Sequence, residues 1–141
     1  MNWDRKLEEF EDLIRMGIRA TRDLGVEHPF SKQQMLLLMT LKRMGRMTVS
    51  ELAEELHLSA SATTIAINRL VRDGHIVRTR DETDRRLVWV VLSEPVKNLI
   101  NEFCNKRNAV LIKMFNTVTP EEVDQFMAIV RKMVDGLSKP D

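Results

Sequence analysis

The chain is predicted to be mainly α-helical with one two-stranded β hairpin, an α+β arrangement, and three observations predict it. Apolar residues recur at helical spacing near both ends, at Trp3, Leu7, Phe10 and Ile14 and again at Val123, Phe126, Val130, Met133 and Leu137. Residues that favour helix starts stand ahead of most helical stretches. Once only, after Gly74, the period shortens to that of strands, in "HIVRTR" and "RLVWVVL", with a charged tip between them.

Each element follows from a local signal. Helical spacing runs from Trp3 to Leu24, and "GVEHPF" breaks it. In "FSKQQM", Ser31 caps the next helix, Gln34 stands at the capping-box position, and Phe30 and Met35 staple the entry. Gly45 ends that helix. "MTVSEL" repeats the device with Thr48, Glu51, Met47 and Leu52, and starts a short helix that reaches Leu56. "HLS" turns the chain, and Ser59 caps a helix running to Gly74. After the hairpin, Ser93 and Pro95 open a long helix with no breaker before Val118. "TPEE" then starts the last one, with Thr119 as cap, Pro120 in the first turn and Glu122 able to bond back. The order is helix, helix, short helix, tight turn, helix, hairpin, helix, helix: a winged helix-turn-helix set between flanking helices.

Composition narrows the function classes. A length of 141 residues with 43% hydrophobic content suits one compact domain or one subunit of an interlocked oligomer. No apolar stretch approaches the roughly 20 residues needed to span a bilayer, and "MNWDRKLEEFEDL" is charged where a signal peptide is apolar. The expectation is a cytoplasmic protein with no membrane contact. Cys104 is the one cysteine, so no intrachain disulfide can form; it reads as a buried thiol, with a redox sensor as the alternative. His28, His57 and His75 stand apart from the cysteine and from each other, without H-E-x-x-H or paired-cysteine spacing, and no G-x-S-x-G or phosphate-binding glycine loop is present. No enzyme, cofactor or metal site is expected.

Net charge is only +1, but its distribution is uneven. Residues 31–47 carry Lys32, Lys42, Arg43 and Arg46 with no acid, and residues 59–92 hold six arginines against four acids. A nucleic-acid footprint needs a local basic surface of this kind and does not require a basic chain. In the helix after "HLS", Thr63, Ala66, Ile67, Leu70 and Val71 form the inward stripe, and Ser61, Thr64 or Ile65, Asn68 and Arg72 follow one another outside. Ser, Thr and Asn on that face can reach base edges in a major groove, while Arg69 and Arg72 suit phosphates.

"TVSELAEELHLSASATTIAINRLVRDGHIVRTRDETDRRLVWVVLS" resembles the core of the MarR family of bacterial transcriptional regulators. The likeness is carried by the apolar spacing of the helix-turn-helix, by "L-x-x-x-G-x-I-x-R" at Leu70 to Arg78, and by the wing "D-x-x-D-R-R" at Asp81 to Arg86, followed by a Val-rich strand and Ser93. Chain length and flanking helices extend it over nearly the whole sequence.

The resemblance implies a homodimer with no cofactor, in which residues 1–30 and 93–141 supply interlocking dimerisation helices and residues 31–92 bind double-stranded, near-palindromic operator DNA. It also implies a repressor that a small-molecule effector releases. Apolar stripes on the terminal helices, larger than a winged core can cover alone, agree with dimerisation. The expected DNA-binding residues are Ser61, Thr64, Ile65, Asn68, Arg69, Arg72, Arg80, Arg85 and Arg86, with Asp81 and Asp84 orienting the wing by pairing with Arg80, Arg85 or Arg86. Many relatives read "S-x-V-T-R-L-V-D-R-L" where this chain has "S-A-T-T-I-A-I-N-R-L", so Ile65 replaces an arginine and Asn68 an aspartate, which implies a different operator. In the wing, Glu82 and Thr83 stand where other members often have proline and a charged residue. Two other readings are a dimeric winged-helix module that binds protein without reading DNA, and an enzyme-like pocket between helices lined by some of the nine methionines.

Overall fold

A computed structural model describes residues 1–140. The elements are α1 (Trp3–Asp23), α2 (Lys32–Met44), α3 (Val49–Glu55), α4 (Ala60–Arg72), β1 (Ile76–Arg80), β2 (Val88–Leu92), α5 (Glu94–Phe115) and α6 (Pro120–Ser138), in the predicted order. Two units are distinguished, Glu27–Cys104 and a second made of Met1–Val26 with Asn105–Asp141.

The starts form as the cap residues dictate. Ser31 accepts from the Gln34 backbone N–H while the Gln34 side chain accepts from the Ser31 N–H, a complete capping box, and Thr119 with Glu122 makes another ahead of α6. Thr48 accepts from the Glu51 N–H at 3.1 Å, but only this half of the expected box forms at α3. Entry to α3 is fixed instead by Met47, whose N–H and C=O both pair with Val90, so β2 gains a second, one-residue neighbour beyond its partner strand. β1 and β2 pair antiparallel with Ile76 opposite Leu92 and Arg80 opposite Val88.

The core of the 27–104 unit is made by Leu37, Leu38 and Leu41 of α2, Leu52 of α3, Ile67 and Leu70 of α4, Ile76 and Val90 of the hairpin, and Val96 and Ile100 of α5. Each such side chain contributes about 1.5–3 kcal/mol by leaving water. The inward stripe of α4 is as expected, with Thr63, Ala66, Ile67 and Leu70 buried and Val71 packed at its edge. Thr63 is buried without an orphaned hydroxyl because its Oγ1 donates to the Ser59 carbonyl at 2.9 Å. Between α3 and α4 the chain reverses at His57, which takes a left-handed φ of 53°, and Leu58 N–H closes back on the Ala53 carbonyl at 2.9 Å.

In the other unit, neither α1 nor α6 has a buried residue. The outward residues include Trp3, Leu7, Phe10 and Ile14 on α1 and Phe126, Val130, Met133 and Leu137 on α6. Phe126 meets Phe115 at 6.1 Å between ring centres and is still 52% exposed. Among the described residues, no helix is long and apolar enough to cross a membrane.

Candidate nucleic-acid interface

The outer face of α4 and the hairpin tip form the candidate interface, and both belong to the 27–104 unit. Ser61, Thr64, Ile65, Asn68, Arg69 and Arg72 are all exposed on α4, since the other side of the helix is taken up by the core. Their hydrogen bonds determine what each can offer. Thr64 Oγ1 donates to the Ala60 carbonyl at 2.9 Å, so its hydroxyl proton is used and its oxygen faces outward as an acceptor beside its methyl group. Ser61 and Ser59 hydroxyls lie 3.5 Å apart. Arg69 borders a groove of about 430 Å³ between the start of α2 and α4, with Ser31, Gln33, Gln34 and Ile65 among its walls. Among the described residues, Arg72 pairs with its neighbour Asp73 alone, at 3.6 Å. Asn68 is not free: its Oδ1 accepts from the guanidinium of Arg78 on β1.

The hairpin has two different faces, because side chains alternate along a strand. Ile76, Arg78 and Arg80 share one, and Val77, Thr79 and Asp81 the other, where Trp89 stands opposite Thr79. Asp81 is the organising group of the tip. One carboxylate oxygen accepts from the Thr83 N–H (3.1 Å), the Thr83 hydroxyl (2.8 Å) and the Asp84 N–H (2.8 Å), and the other accepts from the indole N–H of Trp89 at 3.0 Å. The indole, then the Asp84 amide, then the two Thr83 donors hold this carboxyl well below the usual carboxylate range. Trp89 in turn carries the Arg46 guanidinium 4.3 Å above its ring.

Asp84 receives Arg86 Nε at 3.1 Å and the Arg86 backbone N–H at 3.1 Å. Asp81 is held otherwise than by the expected arginines: its partners are an indole, the Thr83 hydroxyl and the loop backbone, and among the described residues no guanidinium reaches it. The reason is geometric, since Asp81 emerges on the Trp89 face while Arg80 emerges on the other. Arg80 instead donates to the Arg85 carbonyl at 3.1 Å across the tip. The Arg85 side chain has no hydrogen-bond or ion-pair partner among the described residues and is exposed.

Trp89, Arg46 and Arg78 are the contributors that sequence reasoning missed. In the sequence Trp89 is one more β-former in the Val-rich strand, Arg46 a member of the basic count, and Arg78 a member of that count and the end of the "L-x-x-x-G-x-I-x-R" motif. The alternation of the strands was the available signal, because it sets Trp89 and Asp81 on one face and Arg78 on the face beside α4.

Two of the three histidines serve as ring neighbours: His28 lies edge-on to Phe103 at 5.1 Å and His75 edge-on to Phe30 at 4.9 Å. Among the described residues no group of three or more His, Cys, Asp or Glu is placed to hold a metal ion. Cys104 is buried, with Lys42 Nζ 3.4 Å from its sulfur.

This assembly has counterparts in known proteins. The sequence model of the MarR family matches residues 30–88, from the entry of α2 to the start of β2. HTH-type transcriptional regulator YwhA of Bacillus subtilis (strain 168) is 37% identical over 97 residues, covering 69% of this chain and 70% of that protein. The chain belongs to the MarR family. The solved structure of a MarR family protein from Bacillus stearothermophilus is 29% identical, covers 99% of both chains and superposes with a TM-score of 0.71. Streptococcus pneumoniae FabT, solved in complex with DNA, shares the fold at 20% identity over 94% of this chain and 96% of its own, with a TM-score of 0.77. As a MarR-family member the protein is a DNA-binding transcriptional regulator.

Proposed function

We propose that this MarR-family regulator acts as a homodimer on a near-palindromic operator, represses transcription there, and is released by a small-molecule effector. The observation that carries the operator reading is the pairing, on one unit, of an exposed polar face on α4 with a hairpin tip held in one shape by Asp81. A pre-shaped tip loses less entropy on binding than a mobile one. In this reading Ser61, Thr64, Ile65 and Asn68 face base edges, with Thr64 accepting and Ile65 suited to a thymine methyl. Arg69 and Arg72 meet phosphates, and Arg86 exchanges Asp84 for one, an inexpensive exchange for a pair this exposed. Arg80 shapes the tip, and Arg85, whose side chain has no partner among the described residues, enters the minor groove.

Dimerisation is supported by α1 and α6, whose apolar residues a lone subunit leaves in water. Repression and effector release rest on the resemblance to the family. The test is a titration of duplex DNA with the purified protein across a salt series, using a duplex selected from a random-sequence pool and an unselected one. The reading expects the selected duplex to bind about 10³-fold tighter or more, with a steep log–log fall of affinity with salt. Equal, weak binding to both duplexes would leave a winged protein that does not read DNA.

A further inference from the structure

We infer that Arg78 is a positioning residue that decides what Asn68 reads: it holds the oxygen end of the Asn68 amide, so that Asn68 meets DNA as a hydrogen-bond donor only. The inference rests on the proposed base-reading role of Asn68. Arg78 follows Ile76 on the hairpin face that turns toward the core, and Ile76 is 1% exposed. The next residue outward on that face therefore comes up beside the outer side of α4, where its guanidinium Nη2 donates to Asn68 Oδ1. The assignment of the amide ends is chemical, because a guanidinium has donors and no acceptor. The Asn68 amino group has no partner among the described residues.

An asparagine that recognises adenine in two places needs both ends, the oxygen accepting from the 6-amino group and the amino group donating to N7. Here one of the oxygen's two lone pairs is engaged by a charged donor, and in this inference the guanidinium standing at that end also keeps a base's amino group from the other. What remains is an N–H₂ group, and its partners in the major groove are acceptors: purine N7, guanine O6 or thymine O4. Purine N7 is common to adenine and guanine. Asn68 thus selects a base edge that presents an acceptor, without favouring adenine among the purines, and the selection is made by a residue on the wing that touches no base. Arg78 also closes the gap between recognition helix and hairpin, so a change in the hairpin alters base preference at a position read by the helix.

Selection from a random-sequence duplex pool, with wild type and with Asn68→Ala, locates the position whose preference Asn68 sets. Duplexes are then made with adenine, guanine, a purine lacking the 6-amino group, or 7-deazaadenine at that position. Wild type is expected to bind the first three within about twofold of one another and the 7-deaza duplex about fivefold more weakly or worse. Arg78→Met frees Oδ1, so adenine should become preferred over both guanine and the amino-free purine by about fivefold or more. Arg78→Lys, which can still donate to Oδ1, should restore the wild-type ratios. Ratios between duplexes are the readout, since loss of a positive charge weakens all of them together. A wild type that loses affinity when the 6-amino group is removed, or an Arg78→Met protein with wild-type ratios, overturns the inference while leaving Asn68 a base reader. If Asn68→Ala relaxes no position, the base-reading role fails first, and the inference falls with it.

Discussion

Asp81 illustrates how one side chain organises a functional loop. Four donors converge on its carboxylate, and Thr83 supplies two of them, so the departure from the family's proline-containing tip is offset by a turn that the side chain itself closes. Because the folded-state pKa is depressed, this contribution is complete above the unfolded value of about 3.9 and is lost only as pH falls through the lower folded value. The tip should therefore stay closed while ordinary carboxylates protonate. The indole N–H resonance of Trp89 is expected to hold its neutral-pH position down to about pH 3; a transition centred near pH 4 would contradict the arrangement. His57 supplies a second residue-level expectation. Its left-handed backbone is tolerated in the helix-turn-helix turn without glycine, but a β-branched side chain is not suited to it. His57→Val should cost about 1–2 kcal/mol in denaturant unfolding, and His57→Gly should be close to neutral.

Between elements, the hairpin is fastened at three levels. Met47 pairs with Val90 at its middle, Arg46 covers Trp89 beside it, and Arg80 reaches the Arg85 carbonyl at the tip. A hairpin so held is a shaped device and not merely a positive one, and two substitutions of opposite charge separate the cases. Arg85→Ala should weaken duplex binding and lower the log–log salt slope by about one. Asp81→Ala should also weaken binding, although it removes a negative charge, because the loop loses its closure. Tighter binding by the Asp81 variant, measured on the same duplex across the same salt series, would show that the tip works by charge alone. The residues on each side of this contrast were legible in "RDETDRR"; their pairings were not. Charge and composition indicate that carboxylates and guanidiniums share a loop, but strand alternation and the turn's own path decide which of them face each other. That is why the Asp84–Arg86 pair, two residues apart within the loop, was within reach of sequence reasoning and the Asp81–Trp89 bond was not.

For the molecule as a whole, the question is what covers α1 and α6. Trp3 is 64% exposed and Leu137 89% exposed, values at odds with a stable lone subunit. Removing residues 1–24 or 119–141 should give a product that aggregates or sediments as a monomer. Phe126→Glu should do the same with less disturbance, placing a charge in the proposed contact. Each is expected to lose about 10²-fold or more of operator affinity, because two linked modules reading half-sites about 34 Å apart bind far better than one. A soluble monomer with unchanged operator affinity would rule out the dimer reading.

By itself the sequence determined the elements, their order and their caps, since those depend on residues within a few positions of each other: Ser31 with Gln34, Thr119 with Glu122, and the shift of period at Gly74. It also determined which side of α4 is buried, because 3.6-residue periodicity is a local property. Only the tertiary structure decided that Val96, Ile100 and Cys104 of α5 belong to the winged core, that Met47 adds to the hairpin, that Trp89 closes on Asp81, and that Asn68 is held by Arg78. Each of these joins different elements or opposite sides of a turn, and a local pattern carries no information about the relative placement of the groups it brings to the surface. Hydrogen-bond donors and acceptors are distributed by sequence, whereas which of them are already satisfied, and so what remains to offer DNA, is settled by folding.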